Sequence, residues 1–233
     1  MHVDVDKLPL ASFKDFAKHY LMIVLSILTA LGLEAWIEHS HHNHAAERSR
    51  QRMDQELSSV LQSIQRAEEV NQKSLSNLKS LDAMVAGDLT SGLDTRDISK
   101  KILARKNDYT LNTSWPSLTT NAWDVAVADQ SIGWIDSANL QRYSAAYTAE
   151  RTLNNWLLHD STVLVDAPRL IDTVTELQLD HPVDPNTILR SLRQMEGLLE
   201  TTIRFLRSAA EEMKPAVTTV PTVQGGGDHG VQP

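Results

Sequence analysis

The sequence predicts an all-α protein in which one N-terminal transmembrane helix continues into the long first helix of an antiparallel helical bundle. Three observations carry this. Residues 21–37, LMIVLSILTALGLEAWI, are an apolar run of 17 residues holding one acid, Glu34. Beyond the run, apolar or small residues recur at alternating spacings of four and three, the period of a packed helix face. No segment shows the sustained two-residue alternation of a half-buried strand. Composition agrees, because Ala, Leu, Ser, Thr and Glu dominate and aromatics are only 5%.

Residues 1–20 form a short flank carrying Lys7, Lys14 and Lys18. The span, 21–37, covers roughly 26 Å as a helix, close to the short limit for a hydrocarbon core of ~30 Å. Leu21, Leu25, Leu28, Leu31 and Trp36 are its expected membrane-anchor residues. Tyr20 and Trp36 lie near its two ends, where amphipathic rings favour the interface. Its Leu, Ile and Val residues together contribute about −3 to −5 kcal/mol on insertion scales, against about +2.5 to +3.5 for a charge at the centre. Glu34 is one turn from the end rather than central. It reads either as an intramembrane functional acid or as a residue at the interface. The alternative, a buried helix of a soluble domain, calls for a polar face, yet only Ser26 and Thr29 are polar between Leu21 and Leu33. A cleaved signal peptide would need a small-residue cleavage site, which is missing.

Residues 38–214 are expected to be the bundle. Met53, Leu57, Val60, Ile64 and Ala67, then Leu78, Leu81 and Val85, form the packing seam, with Asn71 and Ser74 as a polar layer between them. AGDLTSGLD (86–94) ends this helix through Gly87, Asp88 and Gly92. RDISKKILARK reads as a short helix. Trp115, before Pro116, is extended. Ser117, Thr119 or Thr120 caps a short helix through Trp123 and Val127. Asp136 or Ser137 caps a long helix whose apolar face includes Leu140, Tyr143, Tyr147, Leu153 and Leu157. Pro168 kinks or restarts it before Ile171, Val174 and Leu177. Asp184 and Pro185 start a final helix bearing Ile188, Leu192, Met195, Leu199, Leu206 and Met213. Lys214-Pro215 stops it, and 215–233 is expected to be a disordered tail.

With 22 Lys+Arg against 30 Asp+Glu the formal charge is −8, without the basic stripe that nucleic-acid binding needs. There is no cysteine, which removes disulfides, thiolate nucleophiles and cysteine-type zinc sites together. No phosphate-binding glycine loop, His-Glu-x-x-His or Gly-x-Ser-x-Gly occurs, so no catalytic residue and no cofactor is assigned. His159-Asp160 and Asp180-His181 are sequence neighbours, which point apart on a helix. The one candidate metal set is His39, His41, His42 and His44, in EHSHHNH. Glu38 and His42, four apart, can meet on one helix face, as can His39 and His42, three apart. The competing reading is a polar, pH-sensitive segment beside the membrane. Trp123, Trp134 and Trp156 either line a ligand pocket or fill the junctions between helices.

The anchor LMIVLSILTALGLEAW and the stretch TTNAWDVAVADQSIGWIDSANLQRYSAAYTAE resemble a broad group of uncharacterised bacterial single-pass membrane proteins with an N-terminal anchor and a helical extracytoplasmic domain. The match lies at Ala122, Trp123, Gly133, Asp136, Leu140 and Tyr147, within residues 14–150. This sequence departs from the group in its His cluster and its weakly basic flank. The resemblance implies no particular activity and carries over no catalytic residue.

The expected function is therefore a membrane-anchored interaction, scaffold or accessory protein, its partners the lipid bilayer and another protein or a second copy. The alternatives are a transmembrane ligand-sensing module working through a partner, since only about 20 residues precede the span, and a His-cluster metal-binding protein. The expected location is the bacterial inner membrane, with the N-terminus cytoplasmic and the bulk periplasmic. Lys7, Lys14 and Lys18 balance Arg48, Arg50 and Arg52 in number but lie closer to the span.

Overall fold

The computed structural model of the chain describes residues 13–109, 113–165 and 168–218. The described residues form six α-helices and no strand. Helix α1 (Phe13–Thr90) is continuous over 78 residues, about 117 Å at 1.5 Å per residue. Its first part is the apolar run. Within it one 18-residue window has a mean hydropathy of 1.9, and none of that window is buried against the rest of the chain. Leu21, Leu25, Leu28, Leu31 and Trp36 are all exposed. By length and composition this segment can cross a membrane.

The second part of α1 is the backbone of the bundle. Met53, Leu57, Val60, Ile64, Ala67, Leu78, Leu81 and Val85 are all buried. Between the two groups the spacing slips. Asn71 is buried as the alternation requires, but the next buried residue is Leu75, with Ser74 only half-buried. A spacing of four brings a leucine inward where three would bring a hydroxyl, and apolar burial decides the phase locally. Helix α1 passes through Gly87 and Asp88 and ends at Thr90. Gly92 (φ 75°) follows, with its N–H bonded to the Leu89 carbonyl and the Leu93 N–H to that of Asp88. This is a Schellman motif, whose left-handed position favours glycine.

Helix α2 (Thr95–Ala104) is capped by Asp94, whose carboxylate accepts from the Arg96 N–H at 2.8 Å. After a 3-10 turn at Lys106–Asp108, residues 113–120 run without helix back along α1. Helix α3 (Asn121–Ala128) and a 3-10 turn at Ser131–Trp134 complete the return. Helix α4 (Ser137–Val165) is capped by Asp136, which accepts from the Asn139 N–H, and α5 (Pro168–Gln178) begins at a proline, as N1 favours. Helix α6 (Pro185–Thr218) is capped by Asp184, accepting from the Thr187 N–H at 2.9 Å. It does not stop at Lys214-Pro215 but continues one turn, through Pro215. Proline costs a backbone bond there, but Met213 and Ala216 are buried in the core, and their burial holds the last turn. Most of the expected tail, from 219 on, lies outside the described residues.

Cross-helix pairs define the directions. Glu68 meets Arg207, Lys79 meets Glu200 and Asp82 meets Arg193, so α6 runs antiparallel to α1. Trp156 stacks on Phe205, while Glu212 shares a groove with Ser144 and Thr148, so α6 is antiparallel to α4 as well. Helices α1 and α4 are parallel, because the 113–136 return carries the chain back before α4 begins. The core has two parts. One gathers Met53–Ala67 of α1 with α4 and the C-terminal half of α6; the other gathers Leu75–Val85 with α2, Leu177 of α5 and the N-terminal half of α6. Buried Asn71 lies between them in the sequence of α1.

Candidate functional site

Two places concentrate polar chemistry. The first is where α1 leaves the apolar run and enters the bundle. At about 100° per residue the side chains of His39, His41, His42 and His44 project around the helix instead of converging. His39, His41 and His44 are exposed, and His42 Nε2 lies 3.6 Å from Glu38 Oε1. Among the described residues no three His, Cys, Asp or Glu side chains are grouped to hold a metal. The His cluster is a cluster in sequence only. Among the described residues, His42 is the member of the set with a tertiary ring partner: it stacks on Trp134, centroids 3.8 Å apart and planes 13° from parallel. The turn bearing Trp134 is pinned to α1 by a buried hydrogen bond between the Ser131 and Ser49 hydroxyls, 2.7 Å long. Asp129 Oδ1 accepts from the Ser131 N–H at 3.0 Å, and the bonds from Ser131 hold this carboxyl below its ordinary range.

The second place is the junction of α1, α4 and the returning segment, which the sequence reading did not single out. Four polar side chains take up the segment's backbone. Asn71 pairs with Ser114 like a strand neighbour, donating to its carbonyl at 2.9 Å and accepting its N–H at 2.7 Å. Ser63 Oγ accepts the Ser117 N–H, and Glu150 Oε1 accepts the Thr119 N–H at 2.5 Å. Glu56 accepts the Ala122 N–H with both oxygens, at 3.0 and 3.1 Å. Glu56 thus does the capping that Ser117, Thr119 or Thr120 was expected to do. Thr120 occupies the N-cap position but makes no side-chain cap bond; its hydroxyl donates to Asp124 instead.

Glu56 also accepts from the Tyr147 hydroxyl at 2.9 Å, and Asp54 from Tyr143 at 2.6 Å. Burial and these carboxylates hold both phenols far above their usual range. Glu150 is 1% exposed, and among the described residues its Oε2 has no hydrogen-bond partner. Burial pushes its carboxyl up to about 7; the Glu56 charge adds to this, and the Thr119 N–H and Arg151 oppose it. One signal for Glu150 exists in the sequence. It lies three residues from both Tyr147 and Leu153, on the apolar face of α4, where an acid needs a partner. Glu56, beside Leu57 in the seam, has no such signal.

The other expected residues stay apart. Trp123 packs on Tyr147 at 5.3 Å and Trp156 on Phe205 at 4.3 Å, so with Trp134 they form three separate contacts, not one pocket. Asp180 pairs with Lys106 and its neighbour His181 with Glu176. The concavities are open grooves, one of about 570 Å³ between α4 and α6 at Leu140, Ser144 and Glu212.

Comparison with known proteins finds no matching family model, no similar curated protein and no similar solved structure.

Proposed function

We propose that this chain is a single-pass membrane protein that works by interaction, as a scaffold or accessory subunit holding a helical bundle at a set distance from the bilayer. The observation that carries the reading is the continuity of α1. One uninterrupted helix contains both an exposed apolar run long enough to cross a membrane and the central seam of the bundle. A soluble protein would have to leave that apolar surface in water, at about 25 cal/mol per Å². The proposed setting is the bacterial inner membrane, with the N-terminus cytoplasmic and the bundle periplasmic. The lysines nearest the span support that direction. The partner is a protein or a second copy, because the open inter-helix grooves fit a further helix better than an enclosed small ligand.

Fractionation tests the anchor: carbonate-washed membranes should retain the intact chain and release a variant lacking residues 21–37. Recovery of the intact chain in the soluble fraction overturns the reading. A C-terminal reporter active only outside the cytoplasm tests direction, and affinity capture from native membranes tests partnership. The same continuity favours a second reading, a sensor in which movement of the bundle is passed along α1 to a partner. Ligand-dependent change in the depth of a label at the N-terminal end of the span, relative to the bilayer, would separate it from a passive scaffold.

A further inference from the structure

We infer that the end of the bundle nearest the apolar run is itself a lipid-contacting surface, with the Trp134 indole lying among the headgroups of the bilayer that α1 enters. The inference rests on the anchored reading above and adds a second, independent point of membrane contact. Because α1 has no break, axial distances along it follow from the helical rise. His42 is five residues beyond Ile37, the last residue of the apolar run, or about 7–8 Å. The polar zone of a bilayer, the difference between about 40–45 Å overall and ~30 Å of hydrocarbon, is about 5–7 Å on each side. Trp134, stacked on His42 at 3.8 Å, is therefore held at the outer headgroup level, and any tilt of α1 towards it brings it deeper.

Trp134 is the most exposed tryptophan of the bundle, at 50%, whereas Trp123 and Trp156 are half-buried on aromatic partners. It is not loosely held. The Ser49–Ser131 bond fixes one side of its turn, and buried Ile135 fixes the other. A rigid turn that presents half of an indole outward, one residue before a buried isoleucine, withholds from the core a side chain that could have been packed there. An indole combines a large apolar face with one N–H donor, a combination that favours the membrane–water interface. The groups between Ile37 and this level, exposed His39 and His41 with Glu38 and Ser40, are polar and suit the headgroup layer.

The test uses the full chain in phosphatidylcholine–phosphatidylglycerol vesicles containing a lipid spin-labelled on its headgroup, and reads tryptophan emission. Subtracting the spectrum of Trp134→Phe from that of the intact protein isolates Trp134; Trp36→Phe and Trp156→Phe isolate the anchor tryptophan and a core tryptophan. The expected result is that Trp134 loses emission as strongly as Trp36, and far more than Trp156. If Trp36 is quenched while Trp134 behaves like Trp156, the anchor stands and the second contact is refuted. If neither Trp36 nor Trp134 is quenched, the anchored reading fails and this inference falls with it. A photoactivatable headgroup lipid gives the same answer without substitution. Adducts are expected on the peptide containing 131–134, and their absence, with labelling confined to the span, overturns the inference.

Discussion

Replacing Glu150 by Gln should remove a pH dependence that is built into the bundle. Burial holds the Glu150 carboxyl at about 7, against an ordinary value of 4.5. Between those values the folded protein keeps a proton that the unfolded chain has released. Stability from this group is therefore full below about 4.5, declines as pH rises and is gone above about 7. The difference in pKa corresponds to about 3 kcal/mol. For a bundle of this size each kcal/mol moves Tm by about 2–4 °C, which gives about 6–12 °C across the range. Glutamine keeps the shape and the oxygen that accepts from Thr119, and cannot ionise. Thermal unfolding of both proteins in mild detergent, followed by circular dichroism from pH 4.5 to 8, isolates the effect, because other titrating groups cancel in the difference. The variant should match the intact protein at the acid end and exceed it in Tm at pH 8. A difference that stays constant across the range would refute the reasoning, since it would mean that Glu150 does not titrate there.

Leu57→Ala opens a cavity at a fully buried seam position and should cost about 2–5 kcal/mol, read as a lower urea midpoint with unchanged slope. Asn71→Leu removes both bonds to Ser114 and leaves that residue's backbone groups unpaired, costing about 1–3 kcal/mol. Limited proteolysis should then cut first within 113–120, and cleavage elsewhere would count against the pairing. Gly92→Ala meets no atom within 4 Å but must hold φ at 75°, so it should lose about 1 kcal/mol by strain alone; an unchanged Tm would mean that the turn relaxes. Asp94→Ala should lose about 1 kcal/mol by uncapping α2, visible as faster amide exchange at Arg96.

What could be read from the sequence is what depends on near neighbours. The four-three spacing from Met53 to Val85 identifies residues that are buried, because every turn of α1 repeats the same geometry. The Asp184 cap, and Asp136 as one of two candidates for α4, were legible for the same reason: donor and acceptor lie three residues apart. The slip from Ser74 to Leu75 was not, because it depends on what α6 offers opposite that turn. Nor was the capping of α3 by Glu56, which joins residues 66 apart in the chain. Pro215 inside α6 shows the same limit. Its local preference is to stop a helix, and the burial of Met213 and Ala216 outweighs it. At the His cluster adjacency in the chain misleads, since successive side chains on one helix diverge, and the stacking partner of His42 comes from a turn some 90 residues away.

The pairing of α1 with α6 also has a consequence for biosynthesis. Glu68 must wait for Arg207, 139 residues later. At about 5–20 residues per second, the ribosome takes about 7–28 s to supply that partner. Through this interval the side of the nascent seam that α6 will cover, including Leu81, stays open, and on the anchored reading proposed above the chain is already tethered beside its neighbours. Two copies made side by side would then meet with matching seams open. On that reading, the order in which the helices emerge sets how long a second copy can compete with α6 for the same seam.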